Sequence, residues 1–317
     1  MSSPATEWGT LRVRVPATSA NLGPGFDMLG LALDCYTEYN FDFLSESRCD
    51  LRDPNGPVSI PTDKNLIWQS YRHFLELAGM PPGEIPGLSV LFRSELPFGR
   101  GFGSSASALV AGFGAARRVL KHEGRPVPNQ TEAVRILTEL EGHPDNVVPA
   151  LLGGFSFSFI RDDRSVGTVF RQLPADLGLA IVIPDFTIST KSSRALLPGA
   201  VAMNDCLSNM RGILLWEEYL HTGEVSLLTE ALRSDRLHEP YRAAMIPAYA
   251  RLQEHCAQLG IYGVTISGSG PGLLAYYPAA DQQQVITALQ QFIQTGAHGI
   301  IRSCRPDYEG LTAVSEK

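Results

Sequence analysis

Residues 97–107 read Pro97-Phe98-Gly99-Arg100-Gly101-Phe102-Gly103-Ser104-Ser105-Ala106-Ser107, a glycine-rich loop that runs straight into a helix of very small residues. Glycines at alternate positions let the backbone turn its N–H groups inward at low steric cost, and Ser104 and Ser105 sit where a helix N-cap is wanted. The run from Ser104 to about His122 predicts a buried helix whose positive dipole end points at whatever the loop holds. Such a stretch reads as a phosphate cradle, with a plain tight turn before a packed helix as the bland alternative. It is not a P-loop, because no Lys-Ser/Thr pair closes it.

Three further segments set this loop in context: Pro16 to Asp27 (PATSANLGPGFD), Glu141-Gly142-His143-Pro144-Asp145-Asn146-Val147, and Ser267-Gly268-Ser269-Gly270-Pro271-Gly272. The four together, in this order and at this spacing, resemble the GHMP family of small-molecule kinases, and within it the branch that acts on L-homoserine. The resemblance extends over nearly all of the chain. It implies an α+β, two-domain GHMP kinase fold, with a ribosomal S5-like N-terminal domain over residues 1–165 and a ferredoxin-like C-terminal domain over residues 166–317. It also implies ATP and Mg²⁺ as cofactors and a homodimer.

Composition agrees with a soluble enzyme of this size. The 317 residues are 44% hydrophobic and 19% charged, enough to bury a real core. A net charge of −7 argues against nucleic acid or an anionic membrane as partner, since both need a basic face. Any phosphate site must therefore be local. The five cysteines, at 35, 49, 206, 256 and 304, are odd in number and scattered, and read as reduced thiols. With no basic-then-apolar leader and no apolar run of about 20 residues, a cytoplasmic protein is expected.

Along the chain, Leu11, Val13 and Val15, then Leu33 to Phe43, alternate apolar with polar residues as half-buried strands do. Between them, Gly23, Pro24 and Gly25 can hold Asn21 and Asp27 facing one point, unless Asp27 merely caps a helix. Asn65 opens a helix through Ala78 and reads as its cap. Thr131 to Glu141 forms another helix ending at Gly142, followed by a rigid turn and a helical start at Val147. Phe155, Phe157 and Phe159 mark a strand, Val166 to Leu173 its partner, and the domain boundary is placed between them. Leu179 to Ile183 is a buried strand ahead of a polar loop, Ser189 to Arg194. Helices are expected from about Asp205 to His221 and Val225 to Leu232. Arg242, in His238-Glu239-Pro240-Tyr241-Arg242, reads on its own as a surface arginine at a helix start. Strands Tyr262–Ile266 and Leu273–Tyr277, a helix Asp281 to Thr295 and a strand Gly299–Ser303 make a β-β-α-β run.

Roles follow from the resemblance, residue by residue. Pro97, Gly99, Arg100, Gly101, Gly103, Ser104, Ser105, Ala106 and Ser107 would hold the nucleotide phosphates, with Arg100 aimed either at phosphate or at solvent. Asn65 would lie beside the adenine. Ser105 and Glu141 would bind Mg²⁺, with Glu139 as the alternative ligand. Asn21, Asp27, Asp145, Arg194 and Arg242 would hold the amino acid, a planar arginine being the natural partner of its carboxylate. Thr190 would orient the hydroxyl, and Asp145, Asn146, Thr190 and Arg194 would surround the reacting centre. Sister kinases place an aspartate base where this chain has Asn146, and an amide cannot take the proton, which would pass to the γ-phosphate. His143 is read as a structural histidine. Two residues depart from the family pattern: Phe102 stands where leucine is usual and Gly272 where threonine is usual. The rival readings are a GHMP kinase for another alcohol, such as mevalonate or a sugar, and a non-catalytic relative that binds ligand and nucleotide.

Overall fold

The computed structural model describes residues 8–294 and 299–314. In chain order, the first part builds β1 (Thr10–Ala20), β2 (Leu29–Leu44), β3 (Cys49–Asp53), β4 (Gly56–Val58), α1 (Leu66–Leu77), β5 (Gly87–Ser94), α2 (Ser104–His122), α3 (Gln130–Glu141), α4 (Pro144–Leu152), β6 (Phe155–Ile160) and β7 (Val166–Arg171). The second part builds β8 (Leu177–Pro184), α5 (Thr190–Ala195), α6 (Met203–Thr222), α7 (Val225–Ala231), α8 (Glu239–Arg242), α9 (Pro247–Glu254), α10 (Cys256–Leu259), β9 (Gly263–Ile266), β10 (Leu273–Pro278), α11 (Gln282–Gln294) and β11 (Gly299–Cys304), and the chain then closes with β12 (Thr312–Ala313). The expected end of the last helix at Thr295 lies outside the described residues.

One sheet runs β12-β1-β2-β5-β3-β4, with β6 against the start of β2 and β7 outside β6. The alternation read in β2 holds from Leu33 onward, where Cys35, Tyr39, Phe41 and Phe43 turn into the core. Its first residues, Leu29–Leu33, are buried on both faces. One face meets α4, and the other carries Leu29, Leu31 and Leu33 into a core shared with Phe102, Trp216 and Tyr276. The second sheet is antiparallel throughout, in the order β11-β8-β10-β9. Numbered along the chain its strands stand 4-1-3-2, the ferredoxin-like arrangement. Helices α9, α10 and α11 cover its outer face around Leu252, Val264 and Leu289.

Three local readings change. The serines do not cap α2: Gly103 occupies that position at φ +69°, so Ser104 and Ser105 lie inside the first turn. Helix α4 begins at Pro144 rather than Val147, since proline has no N–H to satisfy at a helix start, and Asp145 and Asn146 are thereby fixed in a helical first turn. The polar loop is a short helix, α5, in which Ser189 accepts from the Ser192 amide at 3.0 Å. A division at 165/166 runs through the β6–β7 hairpin, and β12 returns to pair with β1.

The two departures from the family pattern touch each other. A Cβ on Gly272 would overlap the Arg100 carbonyl and the Phe102 ring. Phe102 is buried in the shared core, so its ring occupies the room a side chain at 272 would need. Gly272→Thr is expected to destabilise the protein by about 1–3 kcal/mol through overpacking. Combined with Phe102→Leu, the loss should fall short of the sum of the two single losses by more than about 0.5 kcal/mol in urea unfolding, the mark of residues that share one space; strict additivity would refute the coupling.

Candidate active site

A cavity of about 580 Å³ is lined from both sheets' parts of the chain, a size suited to a small-molecule ligand. One wall is the glycine loop. Gly99, Gly101 and Gly103 all lie at positive φ, and Gly103 has no room for a side chain because a Cβ would overlap Thr18 Oγ1. No side chain caps α2, so its first amides stay open toward the cavity; the first amide paired back to the cap is that of Ser107, on the Gly103 carbonyl. Open N–H groups at the positive end of a 19-residue helix are an anion site.

Of the expected phosphate residues, Gly99, Gly101, Gly103, Ser104 and Ser105 line the cavity. The others do not. The Ser107 hydroxyl bonds Tyr39 at 2.9 Å, Ala106 is fully buried, and Pro97 faces a separate crevice. Arg100 turns toward Asp185, 3.6 Å away, which answers the choice between phosphate and solvent with a third partner. Asn65 lies in the wall but is committed: its Oδ1 accepts from the Trp68 amide and its Nδ2 reaches Cys49 Sγ. Around it Leu51, Val58, Ile60, Leu66, Phe92 and Phe98 make an apolar end that fits a flat heterocycle. That wall was not legible in advance, since such residues read equally well as core.

The opposite end is charged. Ser105 Oγ donates to Glu141 Oε2 at 2.6 Å. Burial raises Glu141 above the ordinary carboxylate range, against the opposing pull of Ser105 and His143. Glu139 instead pairs with Arg135 at 2.9 Å and is absent from the cavity wall. His143 Nδ1 lies 2.5 Å from Asp145 Oδ1. Burial works against a charge on His143, yet the Asp145 hydrogen bond and the carboxylates of Asp145, Glu141 and Asp27 outweigh it and raise the imidazole to about 9. Asp27, His143 and Asp145 bring potential ligand atoms within 4.8 Å of one another. Asn146 Oδ1 accepts from Thr18 Oγ1 at 2.7 Å, a pairing not foreseen because the two residues lie 128 positions apart in different motifs.

The Asn21–Asp27 loop does not cap a helix. Asn21, Leu22 and Asp27 all adopt positive φ, a conformation costly for leucine, and the fully buried Leu22 side chain holds it. Asn21 Oδ1 accepts from the Asp27 amide at 3.1 Å, and Asn21 Nδ2 donates to the Gly268 carbonyl at 2.9 Å. Asp27 forms an ion pair with Arg194 of α5. Arg242 is buried, not on the surface, and donates to the Gly268 carbonyl at 2.8 Å. Burial, and the like charge of Arg194, hold Arg242 below the ordinary arginine value. Both guanidiniums lie over the Phe26 ring, at 5.6 and 5.5 Å. Thr190 reaches the cavity from α5, and Ser269, 3.4 Å from its hydroxyl, was not foreseen.

Residues 65–154 match the GHMP kinases N terminal domain and residues 216–294 the GHMP kinases C terminal domain. A homoserine kinase of Gloeobacter violaceus is 40% identical over 83% of this chain and 86% of its own length, and one of Trichormus variabilis is 35% identical over 96% and 98%. The chain belongs to the homoserine kinases of the GHMP family. The crystal structure of homoserine kinase from Cytophaga hutchinsonii superposes with a TM-score of 0.83, at 25% identity, over 99% of both chains. The GHMP kinase fold expected from the four motifs is therefore that of the family, and the motifs carrying the expectation all reach one cavity.

Proposed function

We propose that the chain transfers the γ-phosphoryl group of ATP to the hydroxyl of L-homoserine, giving O-phospho-L-homoserine for threonine biosynthesis. The observation that carries this reading is the Asp27–Arg194 ion pair at the charged end of the cavity, with Arg242 behind it and the open helix N-terminus across from it. An amino acid brings one charge of each sign. Its ammonium replaces Arg194 at Asp27, with Asn21 and Asp145 beside it, and its carboxylate takes up Arg194 and relieves the like-charge crowding with Arg242. A neutral sugar offers nothing to these charges, and a mevalonate offers only the carboxylate. A non-catalytic relative would have no use for the Ser105–Glu141 pair.

Phosphoryl transfer asks for positioning and charge neutralisation. The α2 amides and the glycine loop cradle the phosphates, and the apolar end takes the adenine. The hard oxygens of Ser105 and Glu141, partly withdrawn from water in a wall where burial disfavours a lone carboxylate charge, fit Mg²⁺. A magnesium ion held by these two residues would neutralise charge on the transferring phosphate. Asp145, Asn146 and Thr190 orient the hydroxyl. With Asp145 engaged by His143 and Asn146 an amide, the hydroxyl proton passes to the phosphate. Free thiols at all five cysteines support a reducing, cytoplasmic setting.

A second copy of the chain is the proposed partner. Helix α6 buries Asn209, Gly212, Trp216 and Tyr219 on one side, yet Met203, Leu207, Met210 and Leu214 on the other are 52–74% exposed. The outer spacing of four, three and four residues is that of a helix–helix seam. These four side chains present on the order of 500 Å² per protomer, more than half of the ~800 Å² that each partner of a standard interface buries.

In a coupled ADP-release assay with MgATP, turnover on L-homoserine should stand well above that on mevalonate, galactose or L-serine; equal or greater turnover on a sugar would reject the reading. Within the same assay, Glu141→Gln should lower kcat by roughly 10²-fold or more with the homoserine KM little changed, while Asp145→Asn should act chiefly by raising that KM. Loss of activity in Glu139→Gln but not in Glu141→Gln would move the metal role to Glu139. By sedimentation velocity the wild type should run as a dimer of the 34.5 kDa chain, and Leu207→Glu with Leu214→Glu as an active monomer. A monomeric wild type, or a dimer that survives both changes, would rule out this surface.

A further inference from the structure

Resting on the amino-acid reading of the site, we propose that His238 is a positioning residue that sets the Asn21–Asp27 loop against Arg242 and so governs capture of the amino-acid substrate. His238 is fully buried and does not itself line the cavity. Its Nδ1 lies 3.2 Å from Arg242 NH1, and its Nε2 lies 2.9 Å from the Gly23 carbonyl. A guanidinium has only donors and a carbonyl only accepts, so the two neighbours fix the tautomer: Nδ1 accepts and Nε2–H donates. Only the neutral ring can do both. Burial also disfavours the charged ring, outweighing the attraction of Asp235. Asp235 lies 3.7 Å from Nε2, but its Oδ2 is taken by the His238 and Glu239 amides at 3.2 and 2.7 Å and its Oδ1 by Asn209 at 2.7 Å.

These bonds close a circuit. Gly23 is held by His238, His238 by Arg242, Arg242 by the Gly268 carbonyl, and that same carbonyl by Asn21, two residues from Gly23. Phe26 packs inside the circuit, stacked on the His238 ring at 5.4 Å and lying under both arginines. Residues that would hold the ammonium and those that would hold the carboxylate thus come from separate segments joined through one imidazole. The circuit meets the nucleotide side only beside Gly268, where Ser267 bonds the Gly101 carbonyl, so the effect should fall chiefly on the amino-acid substrate.

The test uses three variants of the full-length enzyme and steady-state kinetics for both substrates, with thermal melting as a check on folding. His238→Gln can keep a donor toward Gly23, His238→Asn an acceptor toward Arg242, and His238→Ala neither. The expected result is a homoserine KM raised roughly tenfold or more in His238→Ala, the effect of losing one or two buried hydrogen bonds, with the ATP KM within about twofold of wild type and partial recovery in His238→Gln or His238→Asn. Should His238→Ala not fold, the same split between substrates is read in the other two variants. A rise in both KM values together, or an unchanged homoserine KM in a folded variant, would overturn the proposal. Failure of the wild type to phosphorylate homoserine would instead strike the amino-acid reading itself, which separates the two.

Discussion

The Gly268 peptide is the point on which the two parts of the chain depend. Its carbonyl accepts from Asn21 Nδ2 and Arg242 NH1, and its amide donates to the Ala20 carbonyl at 3.1 Å. Immediately beside it Ser267 Oγ donates to the Gly101 carbonyl at 2.7 Å, and the Gly272 amide donates to the Arg100 carbonyl at 2.9 Å. One tight loop of the second sheet therefore fixes both the phosphate loop and the strand end that leads into Asn21. Buried polar backbone demands such partners, and here the demand aligns the nucleotide wall with the substrate wall. Rigidity at this junction is what allows a charge from α5 and a charge from the first loop to meet at one end of the cavity.

Electrostatics at the site are local, as the acidic chain requires. The cavity wall carries Asp27, Glu141 and Asp145 together with Lys64, His143, Arg194 and Arg242, side chains that come from different elements. Because the ions already satisfy one another, a ligand with a single charge gains little from displacing them. A zwitterion gains at both ends, since it exchanges one partly exposed ion pair for two. The glycine loop and the open α2 amides would offer a phosphate backbone N–H groups, and the Arg100–Asp185 pair leaves those groups in place.

Much of the fold was legible because its cues are local. Alternation marked β1 and β2, small residues marked α2, and glycines at 99, 101 and 103 marked the backbone that only they adopt easily. Of the site, the motifs placed residues at the cavity wall but not the bonds that link one motif to another. Thr18 and His238 act through partners 128 and 215 residues away in sequence, and no spacing rule encodes such a pairing. The start of α4 could have been read, since a proline after His143 is itself a helix-start signal. The cap of α2 could not, because serine and left-handed glycine are both good caps and only Thr18, pressed against Gly103, leaves glycine alone acceptable.

Phe102 and Gly272 show why departures from a family pattern are better weighed together than singly. Taken alone, a larger residue at 102 suggests a disturbed phosphate loop, and a glycine at 272 suggests a lost side-chain contact. In the fold the ring of the first lies where a side chain at the second would stand, and the Gly272 amide bonds the same Arg100 carbonyl that such a side chain would crowd. A larger side chain at one position beside a smaller one at the other is the kind of core exchange that proteins tolerate. The positions of Gly99, Gly101 and Gly103 follow from that backbone bond and from Ser267 on Gly101, not from the identity of the side chain between them, so the cradle keeps its form.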